Sequence, residues 1–172
     1  NEELRIVKNL PEEQLNAINN KKELKEYSKS LGGFIHMMYV NNSLLFNSLG
    51  IDRANISRLI YLATYIDYND REENVLVRHG SNNKIEYLTR KDIQSIMRLS
   101  EKTFKVFMKD MKDNNLIWNA NDKFYVSNEY FCKGKSSFDK SKYTRIFIDT
   151  TRELYENASA REHKRLSYIY QL

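Results

Sequence analysis

The stretch LTRKDIQSIMRLSEKTFKVFMKDMKDNNLIWNANDKFYVSNEYF, residues 88–131, decides the fold. Thr89 stands where a helix N-cap belongs, because its hydroxyl can accept a backbone N–H from the first helical turn. Ile93, Ile96 and Met97 recur at spacings of three and four, which places them on one face of a helix. Leu99 breaks the run and Ser100 supplies a second N-cap, so only about three residues separate two helices and force a steep crossing. The second helix, 101–114, has two faces. Phe104, Phe107, Met108 and Met111 follow the helical rule for one apolar stripe and seat it on a core. Lys102, Lys105, Val106 and Lys109 lie opposite, with Thr103 at the shoulder.

The residues after that helix narrow the reading. Asn114-Asn115 ends it, since Asn tolerates the left-handed backbone that terminates helices. Leu116-Ile117-Trp118 reads as a short apolar strand, Asn119-Ala120-Asn121-Asp122 as a turn, and Lys123-Phe124-Tyr125-Val126 as the returning strand. Two helices crossing at a tight turn, then a hairpin with a polar tip, is the order of a winged helix-turn-helix. The expected fold class is therefore mainly α with small β. Lysines face outward on any solvated helix, but in this arrangement helix 101–114 is placed to enter the major groove of double-stranded DNA. Lys102, Thr103, Lys105 and Lys109 then face bases or phosphates, and Ser100 offers its hydroxyl and a helix N-terminus to a phosphate. Arg90 and Lys91 reach the flanking backbone, and Asn119, Asn121 and Lys123 of the hairpin reach an adjacent groove. A reading face rich in Lys and poor in Arg favours phosphate contacts and DNA shape over bidentate guanine readout.

The chain has 172 residues, a net charge of +5 and a pI of about 9.1, a mild basicity that favours a polyanionic partner. Its single cysteine, Cys132, excludes an internal disulfide framework and fits a reducing compartment. No run approaches the ~20 apolar residues of a membrane span, and no secretory leader pattern opens the sequence. A cytoplasmic protein is expected.

Around residues 88–131 the organisation is modular. Residues 1–30 form an N-terminal extension in which Pro11 opens a helix to about Ser30, with Glu12-Glu13 in its first turn. Its apolar stripe is thin, so it suits the surface or a second subunit. Residues 31–132 are the DNA-binding domain. There Gly32-Gly33 stop the helix, Phe34 to Val40 reads as a strand, 43–49 as strand or short helix, and Ile51 to Tyr68 as a buried central helix. Val75-Leu76-Val77 gives a small strand, and 79–86 a polar loop. Residues 133–142 are a basic linker whose four lysines, Lys133 and Lys135 among them, suit phosphate contact or simple solvation. The C-terminal segment 143–172 carries a repeat. Phe34 to Asn42 matches Tyr143 to Thr151 by residue class, Leu45-Phe46 matches Leu154-Tyr155, and Arg58 to Leu62 matches Arg165 to Ile169 after an offset. Chance matching stays open. Otherwise a second, incomplete winged-helix copy begins here, Leu172 is a cut rather than a natural end, and the segment dimerises or packs back on the first domain.

Residues 31–135 resemble plasmid and phage replication initiators of Gram-positive bacteria. The resemblance rests on Tyr61-Leu62-Ala63-Thr64-Tyr65-Ile66-Asp67-Tyr68, on Leu88-Thr89 with Asp92-Ile93, on Asn128, and on the close Tyr130-Phe131-Cys132-Lys133-Gly134. Asn114-Asn115 departs from the small residue and glycine usual near the end of that family's recognition helix. The resemblance implies an origin- or operator-binding protein. Replication initiation is the leading role, with transcription regulation, plasmid partition and conjugation accessory roles open to the same fold. A protein-interaction module, such as a phage-encoded inhibitor of a host enzyme, is the rival class.

Nothing in the sequence points to catalysis. His36, His79 and His163 have no metal-ligand spacing, and His163 is expected on a solvated helix. Cys132 has no CxxC partner. Gly134-Lys135-Ser136 lacks the upstream glycine of a phosphate loop. No catalytic residue, metal or cofactor is expected. The expected partners are duplex DNA, a second copy in a homodimer, and replication or host proteins.

Overall fold

The computed structural model describes residues 11–30, 32–67, 74–80, 84–134 and 142–171. They form a mixed α/β structure with small antiparallel sheets. The first helix, α1 (Glu12–Ser30), starts where the Pro11 carbonyl accepts the N–H groups of Gln14 and Leu15. It is solvent-exposed along nearly its whole length, with Ile18, Leu24 and Tyr27 all outward. Gly32 comes next at φ +71°, a backbone conformation that L side chains rarely adopt, with the Asp149 carboxylate packed against it.

β1 (Phe34–Met38) runs without a loop into α2 (Tyr39–Asn47). The strand therefore stops two residues short of Val40, and the ambiguous stretch after it is helical. An apolar run cannot separate strand from helix by itself. Burial of Leu45 and Phe46 and a hydrogen bond from the buried Asn42 Nδ2 to the Tyr170 carbonyl (2.9 Å) anchor the helix.

The central helix, α3 (Arg53–Ala63), is capped by Asp52, whose carboxylate accepts the Ala54 N–H at 2.8 Å. Every residue from Ala54 to Ala63 is buried. It ends at Ala63, well before Tyr68, because the backbone beyond Thr64 is taken into extended pairing. Asp67 N–H bonds the Val75 carbonyl and Val77 N–H the Tyr65 carbonyl, both at 2.9 Å. The same 74–76 stretch pairs on its other side with β5 (Lys123–Val126), through Leu76 N–H to the Phe124 carbonyl (2.8 Å) and Val126 N–H to the Asn74 carbonyl (3.0 Å).

Part of the expected polar loop 79–86 is instead structured. β2 (Val77–His79) and β3 (Ile85–Tyr87) form an antiparallel pair, Val77 opposite Tyr87. β3 alternates as Ile85-Glu86-Tyr87, but with its apolar residues exposed and Glu86 half-buried, the reverse of a core strand.

Next come α4 (Arg90–Met97) and α5 (Glu101–Asp113), with Arg98, Leu99 and Ser100 between them. Thr89 Oγ1 accepts the Asp92 N–H while the Asp92 carboxylate accepts the Thr89 N–H, a reciprocal box that fixes the start of α4. Arg98 makes the corner at φ +50°. Ser100 caps α5, and Asn115, at φ +54°, ends it. β4 (Ile117–Ala120) then pairs with β5 across a two-residue turn. Asn121 (φ +50°) and Asp122 (φ +59°) both adopt left-handed backbone, the combination that matches strand twist in the tightest hairpins. Asn119 and Ala120 thus belong to the strand, not to the turn.

The chain returns through β6 (Phe131–Cys132), β7 (Tyr143–Phe147), α6 (Ile148–Asn157) and α7 (His163–Tyr170). β1 lies between β6 and β7. Its antiparallel register with β7 centres on His36 opposite Arg145, the third residue of each strand. Each of these two strands passes directly into a helix and then into a second helix: β1–α2–α3 and β7–α6–α7. The two units share this order of elements, their strands pair with His36 opposite Arg145, and α3 packs against α7. The residue match of Arg58–Leu62 to Arg165–Ile169 fails on burial. Tyr61 and Leu62 are core, whereas Tyr168 and Ile169 are exposed, because α7 packs on α3 through its other side.

The segment from β7 onward therefore packs back on the preceding domain, and a buried polar network holds it there. Arg58 Nε donates to His163 Nδ1 (3.3 Å) and Arg58 NH1 to Asn55 Oδ1 (2.6 Å). Tyr155 is stacked between Tyr61 (ring centroids 3.8 Å apart) and His163 (4.1 Å). His163 is 3% exposed, so the expected solvated position is overturned. The arginine opposite it demands the acceptor form of Nδ1. Burial, then the Arg58 charge, pushes the imidazole down to about 4 from its ordinary 6.5.

The unfolded chain consequently binds this proton first as pH falls. The contribution of neutral His163 is complete above the unfolded value of 6.5 and drains away between 6.5 and 4. From this group the protein is about 2 kcal/mol less stable at pH 5 than at pH 7. Urea unfolding of wild type and His163→Gln at both pH values checks it. The wild type should show the steeper loss, and parallel profiles would rule out a buried neutral imidazole.

Candidate nucleic-acid interface

α5 is held from behind. Phe104, Phe107, Met108 and Met111 are buried in the core, and Asn55 Nδ2 of α3 donates to Asp110 Oδ2 at 2.6 Å. With that side fixed, helical spacing turns Lys102, Lys105, Val106, Lys109 and Lys112 to solvent, and all five are exposed. Lys112 was not singled out from the sequence. It closes the same face and reaches Asn119 Oδ1 on β4 at 3.4 Å, linking helix and hairpin.

The outward face is less purely cationic than its lysines suggest. Lys105 Nζ lies 3.1 Å from Glu101, and Lys109 pairs with Asp113, each one helical turn away. Hydrogen bonding to Asp113 and its charge hold the Lys109 ammonium above its ordinary pKa. Exposed pairs of this kind contribute little stability and exchange readily for a stronger anion. Lys102 makes no hydrogen bond or ion pair with any described residue.

The start of α5 is open, but its cap is internally engaged. Ser100 Oγ accepts the Thr103 N–H (3.3 Å) and shares a hydrogen bond with Thr103 Oγ1 (2.9 Å). The Ser100 hydroxyl is thus spent on the helix and the Thr103 hydroxyl is spent with it, leaving the remaining first-turn N–H groups to face an anion. Arg90 and Lys91 are exposed at the start of α4, where the Arg90 guanidinium lies 4.9 Å over the Phe104 ring. Arg90 and the N-terminal half of α5 therefore sit together.

On the hairpin, Asn121 is exposed at the tip and Asn119 on β4. Lys123 is partly buried, its ammonium 4.0 Å from the Tyr87 ring centroid, so it ties the hairpin to β3. Beside it lies an aromatic surface that is not among the expected contacts. Trp118 and Tyr125 stack at 5.7 Å, and Trp118 is 41% exposed. Strand alternation would have revealed this, since Ile117, Phe124 and Val126 take the buried positions.

Lys133 departs from its expected place. It is partly buried in a cleft with Thr64, Tyr65, Ile66, Val77, Arg78, His79 and Arg152, none of them from α4, α5 or the β4–β5 hairpin. Lys135 lies outside the described residues. Cys132 is buried in β6 with its thiol pushed up to about 11 by burial, as suits an unreactive core sulfur. Among the described residues no helix is long and apolar enough to cross a membrane. No family model, curated protein or solved structure matches the chain.

Proposed function

We propose that the chain is a winged helix-turn-helix protein that binds duplex DNA, with α5 in the major groove and the β4–β5 hairpin as its wing. One observation carries this reading: α5 is anchored through its apolar side while Lys102, Lys105, Lys109 and Lys112 stand together on its solvent side. Support comes from the order of elements α3, 74–76, α4, α5, β4, β5, with 74–76 paired to β5. The open start of α5, beside Arg90, is suited to a phosphate. The role we favour is origin binding in plasmid or phage replication, which rests on the resemblance of residues 31–135 to replication initiators. A homodimer on paired half-sites belongs to this proposal.

A second reading draws on a specific observation. The stacked Trp118–Tyr125 pair is exposed, and carboxylates offset two of the lysines. Such a surface suits a protein partner, since exposed aromatics are enriched in protein interfaces.

Duplexes selected from a random library separate the two. The Lys105→Ala/Lys109→Ala protein should bind the selected duplex more weakly, with a salt dependence shallower by roughly one for each phosphate no longer neutralised. Glu101→Gln/Asp113→Asn should act oppositely, raising duplex affinity by roughly two- to fivefold. Fluorescence anisotropy across a salt series reads both. Unchanged affinity in the lysine variant, or no enrichment of any duplex, would sink the DNA reading and leave the aromatic surface as the functional one.

A further inference from the structure

We propose that the cleft where the end of α3, β2, Lys133 and α6 meet is a binding site for a phosphate-type oxyanion, with the Lys133 ammonium and the Arg152 guanidinium as its cationic walls. The cleft has a volume of about 190 Å³. Arg152 is fixed within it. Its Nε and NH2 donate to the hydroxyl and carbonyl of Thr64, both at 3.0 Å, and its guanidinium lies 4.0 Å from the Tyr65 ring centroid. That bracing leaves NH1 without a hydrogen bond among the described residues and holds its direction. Lys133 is partly buried beside it and makes neither a hydrogen bond nor an ion pair with any described residue.

Two cations held together in a partly desolvated cleft repel each other. Burial, and then the Arg152 charge against the support of Asp67, lowers the Lys133 pKa. Asp67 supplies one negative charge nearby, its Oδ1 3.9 Å from His79 Nε2 at the rim. Arg78, also at the rim, is engaged by Glu86 (2.7 Å) and by Asp92 (3.8 Å). Among the described residues Asp67 is the carboxylate whose charge supports Lys133, and a compact anion rich in acceptor oxygens would use the three ammonium donors and the spare guanidinium nitrogen. A free phosphate and a nucleic-acid phosphate share that chemistry. The inference stands apart from the duplex reading: a protein that binds no duplex could still bind phosphate here.

Isothermal titration of the full chain with inorganic phosphate, with chloride adjusted to constant ionic strength, tests it. We expect saturable one-to-one binding, weakened roughly tenfold in Lys133→Gln and unchanged in Lys105→Ala. Should Lys133→Gln fail to fold by circular dichroism, Arg152→Lys serves as the comparison, because it keeps the charge but loses the bracing on Thr64. Phosphate that displaces duplex from the wild type but not from Lys133→Gln identifies a nucleic-acid phosphate as the occupant. Binding without displacement identifies a free anion. Unsaturable heats, or equal binding by the Lys133 and Lys105 variants, would overturn the proposal.

Discussion

A helix buried on every side must find partners for the polar groups it carries, and α3 is such a helix. Asn55, Ser57 and Arg58 all lie inside it. A buried guanidinium without partners is strongly destabilising, so the arrangement around α3 reflects the needs of these side chains. Asn55 answers Asp110 on α5 and Arg58 on its own helix; Arg58 answers His163 on α7. α5 and the C-terminal helix α7 are thus fixed against one support by a single chain of hydrogen bonds. Burial pulls the Arg58 guanidinium below its ordinary pKa, and the same burial keeps His163 neutral to accept from it.

The local parts of this architecture were legible in the sequence wherever one residue type has one physical role. Thr89, Ser100 and Asn115 marked the ends of α4 and α5 because capping and left-handed backbone demand those residues. The apolar stripe of Phe104, Phe107, Met108 and Met111 fixed which side of α5 is inward. Features that depend on tertiary pairing escaped. The early end of α3 comes from backbone bonds between 65–67 and 75–77, which no helical period records. β3 alternates over only three residues, Ile85-Glu86-Tyr87, and with its apolar side chains exposed, too short a run to mark a strand. His163 looked solvated because its neighbours Glu162 and Lys164 are polar, whereas an arginine 105 positions away draws it inward. The partial burial of Lys133 has the same cause, since its surroundings come from residues 64–66 after α3, from β2 and from α6.

The pairing of the two strand–helix–helix units gives the C-terminal segment its structural meaning. β7 and α7 meet β1 and α3 through matched elements, so the segment completes the core of the preceding domain rather than hanging from it. Tyr155 shows this most directly: its ring stacks on Tyr61 and its hydroxyl donates to the Met97 carbonyl at 3.1 Å, at the end of α4. α1, by contrast, exposes Ile18, Leu24 and Tyr27, leaves Leu15 half-buried, and adds nothing to the core among the described residues.

Duplex binding through α5 requires its lysine face to meet the polyanion. Amine-reactive labelling with mass-spectrometric readout, with and without a selected duplex, addresses that contact at each residue. Lys102, Lys105, Lys109 and Lys112 should lose reactivity on adding duplex, while Lys21, Lys22 and Lys25 of α1 keep theirs. Equal labelling of the two groups in both conditions would contradict it.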